Sequence, residues 1–179
     1  LVLNDVVRLS KLMSQRGLCS RREADKLIEQ GLVRVDGAIV NTLGIKFPES
    51  VDIQLTKRAA AMQNELITIM INKPVGLVSG QAEDDYIPAV RLVSRENQSE
   101  TDQTGLSIKG SHFVGLAPAG RLDIDSQGLL VLTQDGRIAK QLIGENSDIE
   151  KEYLVRVVGE ISDDQIERLS FGLELDGKP

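Results

Sequence analysis

Gly120-Arg121-Leu122-Asp123-Ile124-Asp125-Ser126-Gln127-Gly128-Leu129-Leu130-Val131-Leu132-Thr133 decides how this chain is read. It sets an arginine and two carboxylates directly before an apolar run that reads as a buried strand. Charges at the mouth of such a strand cost desolvation energy unless they are paired or used. Gln134-Asp135-Gly136 then turns the chain, and Arg137 to Ile143 carries helical spacing, with Ile138, Ala139, Leu142 and Ile143 inward. Further on, Glu150 to Val158 alternates as a strand with Tyr153, Val155 and Val157 on one face, and Ser162-Asp163-Asp164-Gln165 caps a helix carrying Ile166 and Leu169. Upstream, Leu66 to Asn72 is another strand, stopped by Lys73-Pro74-Val75-Gly76 because proline removes a donor and glycine supplies a turn. Between the two strands, residues 94–111 are polar and Ser/Gln/Glu/Gly-rich, which reads as a long surface loop.

Composition narrows the function classes. The 179 residues are 41% hydrophobic, enough for one large core or two small domains. No run approaches a membrane span, and Leu1 to Asp5 lacks the basic and apolar regions of a signal peptide. A single cysteine, Cys19, excludes intrachain disulfides and cysteine-rich zinc sites and fits a reducing cytoplasm. A single histidine, His112, excludes His-Glu-x-x-His chemistry and reads as a surface or packing residue. Asp123-x-Asp125-x-Gln127-Gly128 resembles the start of a calcium loop, but Gln134 stands where the closing glutamate is needed and Leu129 to Leu132 stand where ligands should lie. No metal and no cofactor are expected. Aromatics make up only 3%, which disfavours a multi-aromatic RNA-stacking platform.

Charge is unevenly placed. Residues 1–58 hold 10 Lys/Arg against 7 Asp/Glu, a net of +3, and the remaining residues hold 11 against 20, a net of −9, within a total of −6. The pattern predicts a basic docking module, residues 1–58, a linker at 59–65 and an acidic body, residues 66–179. In the first module Arg8 to Arg16 reads as a helix closed by Gly17. Ser20 and Glu23 form a capping box for a second helix with Ala24, Leu27 and Ile28 inward, and Gly31 follows its end. Asp36-Gly37 between Val33–Val35 and Ala38–Val40 signals a hairpin, and Val51, Ile53 and Leu55 alternate as one more strand. Arg21 and Arg22 sit at the positive end of their helix, a placement that an anion would reward.

Arg8-Leu9-Ser10-Lys11, Cys19 to Ile28 and Gly31 to Gly37 together resemble an S4 RNA-binding domain. Asn72-Lys73-Pro74-Val75-Gly76, Gly120-Arg121-Leu122-Asp123 and Lys151-Glu152-Tyr153-Leu154-Val155 resemble, in order, the motifs of the bacterial ribosomal-RNA pseudouridine synthases of the RsuA branch. Val75 to Ser79, Asp123 to Gly128 and Glu150 to Tyr153 are most similar to the F-type large-subunit members. The resemblance implies an α+β chain: a small S4-type module followed by a largely antiparallel pseudouridine synthase domain. It implies a 23S rather than 16S ribosomal-RNA partner, a monomer when full length, and phosphate contacts from Arg8, Lys11, Arg16, Arg21, Arg22 and Lys26. Cys19 is then a small buried residue rather than a reactive thiol.

The chemistry accounts for the residue types. Uridine must lose its N1 glycosidic bond, rotate and rejoin through C5. A carboxylate can attack C1′ or C6, or stabilise the sugar cation. The resemblance assigns that role to Asp123, with Tyr153 stacking on the flipped base and helping to remove the C5 proton. Arg121 is read as pairing with Asp123 or holding phosphate, and Asp125 as capping the turn. Family members continue past Leu173 to Pro179 into further strands and a basic motif, so the resemblance implies a truncated domain with little activity of its own and exposed strand edges. The competing readings are a non-catalytic S4 RNA-binding protein and a ribosome-assembly factor, which leave Gly120 to Asp123 without a task.

Overall fold

The computed structural model describes residues 6–82 and 85–173. Residues 1–5 and 174–179, on which the outer boundaries of the two expected domains fall, lie outside the described residues. The chain divides into two units, Leu1–Ile149 and Glu150–Pro179.

The first unit begins with β1 (Val6–Arg8), α1 (Leu9–Gln15), α2 (Arg21–Glu29), β2 (Val33–Val35), β3 (Ala38–Val40), β4 (Lys46–Pro48), β5 (Ile53–Leu55) and α3 (Lys57–Asn64). The capping box forms as expected: Ser20 Oγ accepts from the Glu23 amide at 3.3 Å, and the Glu23 carboxylate accepts from the Ser20 amide at 2.8 Å. β2 and β3 form the expected hairpin, with Asp36 and Gly37 both at positive φ (47° and 82°), the backbone a two-residue turn between twisted strands requires. β5 pairs with the other edge of β2, while β1 pairs with β4. Leu9, Leu12, Met13, Cys19, Leu27, Ile28 and Val33 fill the core between helices and strands. Residues expected as a linker are largely helical. Thr56 caps α3 at 3.3 Å, and Ala59 is fully buried in this same core.

The unit continues with β6 (Thr68–Lys73), β7 (Leu77–Val78), β8 (Ile87–Pro88), a 3₁₀ turn (Ala89–Leu92), another (Gly110–Phe113), β9 (Ala117–Pro118), β10 (Gly128–Thr133) and α4 (Gly136–Ile143). β6, β10 and β9 form an antiparallel sheet in that order, and β7–β8 is a short parallel pair. The β6–β10 register puts Ile69 opposite Leu132, Ile71 opposite Leu130 and Lys73 opposite Gly128. Leu130 and Leu132 are buried with Ala89 and Val93, and Leu122 packs against them. Residues 94–111 hold no strand or helix beyond the turn that begins at Gly110, as their polar composition predicts. The start of α4 meets the start of α2: a Cβ on Gly136 would collide with the Ser20 side chain, so only glycine allows this approach. The face of α4 expected to point inward is only partly covered, and Ile143 is exposed.

The second unit, described over residues 150–173, holds α5 (Asp163–Phe171), whose Ser162–Gln165 capping box is present. The strand expected at Glu150 to Val158 does not form: residues 151–157 take no strand structure, and Leu154, Val155 and Val158 are exposed. An alternating pattern marks fitness for a half-buried pleated surface, and it makes a strand only where a sheet edge receives it.

Candidate active site

The loop from Gly120 to Gly128 is built to present its side chains outward. Gly120 and Gly128 lie at φ +109° and +137°, conformations that only glycine adopts without strain, so the chain can leave β9 and re-enter β10 through sharp bends. Alternate residues then face opposite ways. Leu122 packs into the core, while Arg121, Asp123 and Asp125 are exposed. A turn at 123–126 is closed by the Ser126 amide donating to the Asp123 carbonyl at 3.1 Å. The hydrogen bond across this turn is a backbone one, and Asp125, expected to cap it, is exposed. Among the described residues no ion pair joins Arg121 to Asp123, so the expected pairing is not made.

Two residues hold the loop from beneath, and sequence reasoning gave neither a role. Lys73 is fully buried. Its ammonium donates to the carbonyls of Pro74 at 2.9 Å, Leu77 at 3.0 Å and Ile124 at 3.4 Å, which satisfies all three of its N–H donors. The Gly76 amide donates to the same Ile124 carbonyl at 2.7 Å. Ser79, 2% exposed, brackets the backbone of Leu122. Its hydroxyl donates to the Leu122 carbonyl at 2.6 Å and accepts from the Leu122 amide at 2.9 Å. The sequence carried a faint signal: a lysine closing the inward-facing register of an apolar strand must bury its charge or leave the strand.

Beyond β10, Asp135 caps α4 and takes a two-pronged ion pair from Arg137, with Nη2–Oδ2 at 2.7 Å and Nε–Oδ1 at 2.9 Å. Burial works to raise the Asp135 carboxyl, but hydrogen bonds from the Arg137 side chain and backbone hold it below the usual carboxylate range. Arg137 is raised in turn, chiefly by its hydrogen bonds to Asp135. Burial, reinforced by Glu23, pushes the Cys19 thiol up to about 12, which makes it the inert residue expected. His112 accepts from the Lys109 amide at 3.2 Å, a surface turn contact. A cavity of about 700 Å³ opens beside Ser79, lined by Gln81, Arg91, Val93, Phe113, Leu116 and Pro118, and its lining includes neither Arg121 nor Asp123.

The six basic residues of the first module separate into two groups. Arg8 pairs with Asp25 at 3.2 Å. Arg16 donates to the carbonyls of Val51 at 2.7 Å and Glu49 at 2.6 Å. Lys11, Arg21, Arg22 and Lys26 are exposed, and none of them makes an ion pair among the described residues. Tyr153 belongs to the second unit, where it is 60% exposed. Among the described residues no cluster of three or more His, Cys, Asp or Glu side chains could hold a metal, and no helix is long and apolar enough to cross a membrane.

The family described as RNA pseudouridylate synthase matches residues 67–174, and the S4 domain matches residues 7–52. This chain belongs to the RNA pseudouridylate synthase family. The match takes in the whole Lys73–Ser79 support and the Arg121–Asp125 loop. An uncharacterised RNA pseudouridine synthase of Mycobacterium leprae is 35% identical across 97% of this chain and 63% of its own length. The dual-specificity RNA pseudouridine synthase RluF of Escherichia coli strain K12 is 35% identical across 96% of this chain and 53% of its own. The chain therefore spans about half to two thirds of the curated relatives it matches. A crystal structure of a pseudouridylate synthase aligns with 75% of this chain and 51% of its own at 26% identity, with a TM-score of 0.34.

Proposed function

We propose that the protein isomerises a specific uridine of ribosomal RNA to pseudouridine, docking through its S4 module and acting through Asp123. The observation that carries the reading is the pseudouridylate synthase loop itself, whose backbone is fastened to the core while its carboxylate stays exposed. The N1–C1′ bond breaks, the base turns, a C5–C1′ bond forms, the C5 proton leaves and N1 gains one, so substrate and product are isomers and no redox partner enters. Asp123 serves as nucleophile toward C1′ or C6, or as the charge that stabilises the sugar cation. The base must leave its stack first, at a cost of a few kcal/mol. Arg121, exposed one residue before Leu122 and free of an ion pair with Asp123, is assigned to RNA phosphate. Tyr153 is assigned to stack on the flipped base and to assist loss of the C5 proton.

The domain division proposed is 1–58 for docking, 59–65 as connection and 66–179 for catalysis, in keeping with the two family matches. A large-subunit target, 23S RNA, is favoured by the resemblance of Val75 to Ser79 and Asp123 to Gly128 to the F-type members. A cytoplasmic monomer suits that substrate. Pseudouridine mapped across ribosomal RNA from cells with and without the gene tests the reading. One position that loses its modification on deletion and regains it on complementation is the expected result, and an unchanged map overturns it.

A further inference from the structure

The two segments that hold the Asp123 loop, Lys73–Leu77 and Ser79, lie more than forty residues away in sequence, and they grip the residues on either side of Asp123. Ser79 makes two hydrogen bonds to the backbone of Leu122. Lys73 and Gly76 share the carbonyl of Ile124. The one residue between these anchored neighbours is Asp123, and neither anchor touches its carboxylate. We infer that Ser79 and Lys73 are positioning residues that fix the Asp123 backbone for attack, Ser79 being the stronger constraint because it holds both the amide and the carbonyl of the same residue.

The inference rests on the proposed role of Asp123. A carboxylate that must meet C1′ or C6 at reacting distance gains rate from a fixed approach, and a displacement of about 1 Å can cost about 100-fold. An exposed aspartate on a loop held only by its own turn would lack that constraint. The grip leaves the S4 module untouched, so its loss should appear in kcat and not in RNA affinity.

The test uses Ser79→Ala, Ser79→Thr and Lys73→Met in the full-length protein. Ser79 borders the cavity described above, and threonine keeps the hydroxyl while adding one methyl. Two readouts separate the clamp from the chemistry. Amide hydrogen exchange should show Leu122 protected in the unmodified protein and at least about ten times faster in Ser79→Ala, with the β10 amides unchanged. Single-turnover pseudouridine formation should fall about 10- to 100-fold in Ser79→Ala with RNA affinity within about twofold, and Ser79→Thr should restore most of it. Lys73→Met should lower the same rate without weakening RNA binding. Equal Leu122 exchange in the parent and Ser79→Ala overturns the clamp. Lost protection with an unaltered rate, or a rate loss that threonine does not restore, overturns the positioning role. A parent protein that forms no pseudouridine overturns the functional reading, and the exchange data still decide whether the clamp exists.

Discussion

Replacing Arg21 and Arg22 together by alanine separates RNA docking from folding. Both side chains are exposed at the start of α2 and make no ion pair among the described residues. If each contacts one phosphate, removing both removes about two counterion-release events. The slope of log K against log salt should then fall by about 1.8 for duplex RNA, or about 1.4 for single strands. Between 50 and 200 mM salt the parent should lose about 7- to 12-fold more affinity than the double variant, a difference that anisotropy titrations of a labelled ribosomal-RNA fragment resolve. Arg16→Ala supplies the contrast. Arg16 is committed to the Val51 and Glu49 carbonyls, so its loss should lower stability by about 1 kcal/mol and leave the slope in place. Parallel slopes for the parent and the Arg21/Arg22 variant would refute the docking surface. A slope change in Arg16→Ala equal to theirs would refute the division into free and committed cations.

Other perturbations test the scaffold. Leu132→Ala, at a buried position of β10, should cost about 2–5 kcal/mol in urea unfolding of the first unit. Asp135 has a depressed folded carboxyl, so its ion pair stabilises the protein above the ordinary aspartate range near 3.9 and is lost as pH falls through the lower folded value. Asp135→Asn should therefore show a shallower acid transition in pH-dependent thermal melts. Cys19 shifts the other way: the unfolded thiol ionises near 8.5 while the folded one stays protonated to about 12, so stability should fall as pH rises above about 8.5. That alkaline loss should be absent in Cys19→Ala, and iodoacetamide at pH 8 should modify the urea-unfolded chain but not the native one.

What the sequence made legible was local. Ser20 and Glu23 stand three residues apart at a helix start, and Asp36-Gly37 separates two β-rich triplets; each signal contains its own partner, so each formed as read. The Gly120–Gly128 loop was legible because its charges contradict the apolar run beside them. The rest needed tertiary information. Lys73 reads as a strand terminus until the carbonyls of Leu77 and Ile124 are seen to converge on it. Arg8 and Arg16 look like members of one basic patch until Asp25 and the Glu49–Val51 turn claim them. Tyr153, Val155 and Val157 alternate as a strand should, yet no sheet edge takes them up among the described residues.

The most direct test of the central claim is tritium release from C5-labelled uridine in ribosomal RNA by full-length protein carrying Asp123→Asn. Each isomerisation expels the C5 proton, so release counts turnovers, while the amide keeps the size of the side chain and removes its charge. Release should fall to background with RNA affinity unchanged. Release at the parent's rate would show that Asp123 does not carry the chemistry.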